Sequence, residues 1–324
     1  MRKIDPFLLL IMAAVALASI LPAQGSAAEI LGHLGILGIA LLFFVHGAAL
    51  PREVVINGLV QWRLHLLIFA ITFVVFPLVT MPFGALPPQW IPPDLLLGFL
   101  YLSALPSAVS SSIAFTAMAR GNVPAAICSS AASNVFGLLL TPLLLSLLTR
   151  TSVEGGFDLT QALADVIVQL LVPFMAGHLA RPWLAGLMAR YEHRINLLDQ
   201  GIILLIVYAA FSQSVVDGLW SHLPPSSVAL AVALCLVLLG IVLAITAFAA
   251  RRLGFSRQDE IAAVFCGSKK SLASGLPLAK VLFGVAPGFG MIVLPIMFYN
   301  QIQILVGAVI ARRYAQSETA QAPG

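Results

Sequence analysis

The sequence predicts an all-α polytopic membrane protein with ten transmembrane helices in a single domain, residues 1–324. Three observations carry this. Of 324 residues, 60% are hydrophobic and 9% charged, whereas soluble domains carry roughly 25% charged residues. The apolar residues gather into ten runs near the ~20 residues that a crossing needs. The runs are continuous rather than alternating, as helices require and barrel strands do not, and short connectors leave no place for a second domain.

In chain order the runs cover residues 7–22, 30–50, 64–83, 95–119, 123–149, 159–180, 197–216, 226–250, 261–283 and 287–311. The first has a basic start, an apolar centre and small residues at 23–28, which also describes a cleaved signal peptide. Charge orients the rest. With the N-terminus inside, the inward ends hold Arg2, Lys3, Arg52, Arg63, Arg120, Arg181, Arg190, Arg194, Arg251, Arg252, Arg257, Arg312 and Arg313, and the outward ends only Arg150. The positive-inside rule then places both termini, with a short polar tail at 314–324, in the cytoplasm of a cell whose inner membrane holds the chain. No basic, aromatic stretch suggests nucleic acid. Cys128, Cys235 and Cys266 lie in apolar runs and read as small buried side chains, not as disulfides or metal ligands.

Ten runs divide into five and five, about 1–150 and 158–313. An odd number makes the second half enter from the opposite side, the inverted-repeat plan of many secondary transporters, whose sites lie at mid-membrane. The fourth run of each half is irregular in a matching way. Run four carries Pro106 with Ser107, Ser110, Ser111 and Ser112; run nine carries Gly267, Ser268, Lys269, Lys270, Ser271, Ser274, Gly275 and Pro277. Proline removes a backbone donor and glycine tolerates strained geometry, so both runs should be broken helices lining a cavity or buried in protein. Run five adds Ser130 and Asn134, four apart on one face, and run ten adds Asn300 and Gln303, three apart. Such groups commonly glue helices together; four clusters at one depth favour a site.

Lysines at mid-membrane cost at least about 2.5–3.5 kcal/mol and need partners. Among the carboxylates only Asp165, in run six, lies well inside a crossing. At least one lysine should therefore face hydroxyls, amide oxygens, freed carbonyls or a substrate anion; the structural alternative is a lysine simply held by Asp165 or by carbonyls. Lys280, near the outer end, can snorkel.

The stretches "LPSAVSSS", "ICSSAASNVFGLLLTPLL", "FCGSKKSLASGLPLAKVLFG" and "LPIMFYNQIQILVGAVIARRYA" resemble the bile acid:sodium symporter superfamily, in the branch that includes solute carrier family 10 member 7 and its bacterial relatives. The resemblance implies a panel and a core domain, with helices four and nine broken and crossing. It also implies organic-anion substrates coupled to sodium. Carried across, a first sodium site would use Ser111, Ser112, Ser130 and Asn134. The family's bridging glutamate falls near Phe265 and a second-site glutamine near Lys269, so the first site should be weak. A lysine then stands in for the ion or cycles its proton.

The leading expectation is a secondary transporter of an organic anion, coupled to Na⁺ or H⁺, with no other cofactor. Two other classes stand beside it: a membrane regulator, for example of calcium homeostasis, which the resemblance implies, and an intramembrane hydrolase using Ser268/Lys269 or Lys270/Ser271. Neighbours in sequence do not face each other on a helix, which disfavours the hydrolase.

Overall fold

The computed structural model describes residues 6–50, 61–150, 159–216, 218, 224–284 and 288–319. Arg2, Lys3, Arg52, the expected run start at 287 and the last five residues of the expected tail lie outside them. Among the described residues the structure is helical throughout, in the order α1 (Pro6–Ile20), α2 (Ser26–Ala49), α3 (Trp62–Ala70), α4 (Phe76–Thr80), α5 (Pro93–Ala104), α6 (Val109–Met118), α7 (Val123–Arg150), α8 (Leu159–Val166), α9 (Val172–Arg190), α10 (Glu192–Val216), α11 (Pro225–Arg252), α12 (Arg257–Ser268), α13 (Leu272–Phe283) and α14 (Phe289–Thr319). Helix α14 runs on through part of the expected tail.

Seven of the described helices or continuous helix stacks are long and apolar enough to cross a membrane, and α5 with α6 makes an eighth if that bent pair is one span. Helix α1 has 15 residues, and α12 and α13 have 12 each, so none of these three spans a bilayer by itself at 1.5 Å per residue.

The chain divides into two compact units. One comprises Met1–Leu50, Asp158–Pro225 and Leu276–Leu294; the other Pro51–Phe157, Ser226–Gly275 and Pro295–Gly324. In the first, α2 crosses α9 at a pair of glycines. A Cβ on Gly47 would overlap the Phe174 carbonyl, and one on Gly177 would overlap that of Phe44. Small residues let membrane helices approach this closely, where packing rather than the hydrophobic effect drives association. Asp165 also lies in this unit and accepts a hydrogen bond from Gln161 at 3.1 Å.

Two stacks contain a π turn just ahead of a proline: Ile71–Val75 before Pro77, and Ile167–Leu171 before Pro173. In the first, the Phe76 N–H donates to the Ile71 carbonyl. The Thr72 carbonyl would next need the N–H of Pro77, which does not exist. A backbone acceptor is thereby released in the helix interior.

The second unit holds both helix breaks. Helix α5 ends at Ala104 because Leu105, ahead of Pro106, is forced extended at φ −68°, ψ 153°, and α6 restarts at a bend of 58°. Helix α12 starts at a Ser256 cap, whose hydroxyl accepts the Asp259 N–H at 3.1 Å. It stops where Lys269 turns extended at φ −101°, ψ 140°. Pro277, expected to mark this break, lies instead inside α13; the break falls on the lysine pair.

Candidate functional site at the two helix breaks

A broken helix leaves carbonyls and N–H groups without partners, and buried ones must be satisfied. Around the first break the accounting is complete from residue 102 to 107. The Leu102 carbonyl takes the Leu105 N–H and the Ala104 carbonyl takes the Thr141 hydroxyl. Those of Ser103 and Leu105 accept from Lys270 Nζ. The Pro106 carbonyl receives the Ser271 N–H at 3.0 Å, and the Ser107 carbonyl receives Asn134 Nδ2 at 2.7 Å.

The second break is closed in the same manner. Ser112 Oγ donates to the Phe265 carbonyl, Ser107 Oγ to that of Cys266, and the Tyr299 hydroxyl to that of Ser268. Gln303 acts as a substitute strand. Its Oε1 accepts the Lys270 N–H at 2.8 Å, and its Nε2 donates to the Lys270 carbonyl at 2.8 Å and to Asn300 Oδ1 at 3.1 Å. The two breaks thus touch and complete one another.

Lys270 is fully buried. Its three ammonium hydrogens have three acceptors: the carbonyls of Thr72 at 2.8 Å, Ser103 at 2.8 Å and Leu105 at 2.7 Å. The Phe76 ring lies 4.1 Å from Nζ. One acceptor is the carbonyl released by the π turn, and two belong to the C-terminal end of α5, where the helix dipole favours a cation. Charge-assisted hydrogen bonds contribute about 1.5–3 kcal/mol each, so three together offset a penalty of that order. Asp165 takes no part.

Lys269 points elsewhere. It is 1% exposed, donates to the Gln303 carbonyl at 3.0 Å and sits over the Phe115 ring at 4.2 Å. Its room comes from Gly307, where a Cβ would stand 2.9 Å from Nζ. It borders a cavity of about 10 Å³ lined by residues of α11, α12 and α14, among them Leu239, Phe265, Ser268 and Val306. That is room for about one water.

Of the other expected site residues, Ser107, Ser112, Ser130, Asn134, Ser268, Ser271, Asn300 and Gln303 all join this hydrogen-bonded cluster. Ser130 Oγ lies 3.5 Å from Cys266 Sγ, and the Ser274 hydroxyl lies 2.6 Å from both Asn134 Oδ1 and Ser271 Oγ. Ser110 is exposed and Ser111 half-buried; neither is drawn into the cluster. Phe265, at the expected place of the family's glutamate, stacks on Phe115 with ring centroids 5.8 Å apart. Residues not anticipated include Thr72, Ser103, Phe76, Phe115 and Gly307. The one signal for Thr72 was Pro77 five residues later.

The model of the SBF-like CPA transporter family matches residues 5–316. The chain belongs to that family. An uncharacterised protein of Pseudomonas aeruginosa is 48% identical over 96% of this chain and 93% of its own length. YfeH of Escherichia coli K12, a candidate symporter by name, is 47% identical over 99% of this chain and 96% of its own. Sodium/bile acid cotransporter 7 of Xenopus tropicalis is 29% identical over 85% and 80%. Membership is consistent with the bile acid:sodium symporter superfamily, and this family member is a multi-pass transporter by its helices and its relatives.

Proposed function

We propose that the protein is a secondary active transporter of an organic anion in which Lys270 is a tethered cation, occupying permanently a carbonyl site of the kind that a sodium ion takes. The observation that carries this is the set of three carbonyl oxygens at 2.7–2.8 Å around one ammonium. Three converging neutral oxygens with no carboxylate make a monovalent-cation site, and here the chain supplies the cation. Lys269, with one carbonyl, one ring face and a cavity beside it, is the ammonium left to meet a substrate anion or to cycle a proton.

Ser112, Ser130 and Asn134 supply neutral oxygens at best, and the nearest charges are positive, so a sodium ion at that cluster would be held weakly. Coupling to H⁺ through Lys269 is the reading that this arrangement favours over Na⁺. The full plan is ten crossings in two inverted halves, with both termini cytoplasmic in an inner membrane. It is supported by two touching helix breaks, which fall in the fourth run of each half. A hydrolase is disfavoured: Lys270 is spent on carbonyls and Ser268 Oγ donates to the Val264 carbonyl at 2.6 Å, so neither is poised as nucleophile or base.

The test is uptake of radiolabelled carboxylates and sulfonates into proteoliposomes under an imposed pH gradient. Lys269→Gln should abolish uptake of whichever anion the parent carries. Uptake unchanged in Lys269→Gln, for every anion carried, would end the proposal.

A further inference from the structure

Lys269 can exchange a proton or meet a ligand only if water reaches it, yet the side chain is 1% exposed. Below its cavity, toward the end of the bundle that carries Arg251, Arg252, Arg257, Arg312 and Arg313, the space between α12 and α14 is filled by an apolar cluster. Its members are Phe115, Ala119, Ile261, Phe265 and Ala311, with Ile310 and Tyr314 packed against them. Ile310 lines the cavity and Tyr314 follows one turn later on the same helix. The Tyr314 ring meets that of Phe265 edge-on, centroids 6.4 Å apart.

Beyond the cluster stands Glu260, 7% exposed. Its Oε1 receives Arg251 Nε at 3.0 Å, Arg251 Nη2 at 2.9 Å and the Tyr314 hydroxyl at 2.8 Å. One carboxylate oxygen therefore ties together α11, α12 and α14, the three helices that line the Lys269 cavity. Arg257 of α12 also reaches Tyr314, its guanidinium 5.4 Å from the ring centroid. A buried carboxylate with this many donors is costly to strip of its partners, and an apolar constriction under it excludes water by dewetting.

We propose that Arg251, Glu260 and Tyr314 form a latch that closes a water route running between α11, α12 and α14 to Lys269. Release of the Tyr314 hydroxyl lets the end of α14 move off α12, parts Phe265 from Tyr314 and wets the cavity. The proposal rests on the reading of Lys269 as the working ammonium, but its test needs no substrate and does not share that reading's fate.

The experiment places a cysteine at Ile310 in the full-length chain. With the protein in nanodiscs, the rate of modification at residue 310 by a membrane-impermeant cationic methanethiosulfonate is read by peptide mass spectrometry. Modification should be slow in the Ile310→Cys parent and at least about tenfold faster when Tyr314→Phe or Glu260→Gln is added, with a cooperative melt confirming that each is folded. Tyr208→Phe removes a comparable tyrosine hydrogen bond, to the Leu21 carbonyl at 2.8 Å in the other unit, and should leave the rate unchanged. Equal rates in the parent and in folded Tyr314→Phe would overturn the latch. So would an acceleration by Tyr208→Phe as large as that by Tyr314→Phe.

Discussion

The Lys270 ammonium donates to the Thr72 carbonyl at 2.8 Å, across 198 positions of sequence. That carbonyl is free because Pro77, five residues on, has no N–H to offer it. A lysine in one helix break is thus matched to a π turn made by a proline in another helix. Restoring the N–H with Pro77→Ala should let the turn relax toward α-helix and take the acceptor away from Lys270. The expected cost is about 1.5–3 kcal/mol, one charge-assisted hydrogen bond. It would be read as a lower melting temperature in detergent, and an unchanged melt would refute the coupling.

Gln303 satisfies both backbone groups of residue 270 at 2.8 Å each. Gln303→Leu should cost about 2 kcal/mol for two neutral hydrogen bonds. Hydrogen exchange at the Lys270 amide should rise with it, while amides of α2 and α9 in the other unit keep their protection. Uniform exchange across both units would mean global loosening instead.

The glycine pair at the α2–α9 crossing is a matter of space alone. Gly47→Ala or Gly177→Ala puts a methyl onto a backbone carbonyl that cannot rotate away. Overpacking of this kind costs about 1–3 kcal/mol, here by pushing the helices apart. Gly32→Ala, with nothing within 4 Å of its Cβ on the same helix, should be neutral or slightly stabilising. Equal melts for the three variants would contradict the crossing.

Acid should act through Glu260. Burial pushes its carboxyl up, but hydrogen bonds from Arg251 and Tyr314 and the charges of Arg251 and Arg257 outweigh that and hold it below the ordinary range. A carboxylate with a lowered folded-state pKa stabilises fully above its unfolded value, about 4.3. That contribution fades as pH falls through the folded value. Melting temperature should therefore drop below about pH 4, and Glu260→Gln should flatten part of that limb. Parallel acid limbs in parent and variant would count against the assignment.

How much of this was legible depended on range. Pro106 is a local signal, and the first break falls beside it. Pro277 is an equally plain signal, but α13 runs through it and the break falls on the lysine pair, whose backbone groups take partners from Gln303 and Tyr299 of α14. That Lys269 and Lys270 needed partners followed from their depth. Which partners they took did not: Thr72, Ser103 and Phe115 are fixed by how distant helices pack, and a released carbonyl leaves no mark in the residue that owns it. Gly307 reads as an ordinary small residue until a lysine is found beside it.

The account's central claim is that a lysine holds the place of a cation. The most direct test is the melt of the parent and of Lys270→Ala as NaCl replaces choline chloride at constant ionic strength. The parent should show no response. In Lys270→Ala the vacated carbonyls of Thr72, Ser103 and Leu105 should bind Na⁺, and a ligand at about 100 times its dissociation constant stabilises by about 2.7 kcal/mol. Saturable Na⁺ stabilisation of the parent that is lost in Asn134→Ala, with none gained in Lys270→Ala, would contradict it.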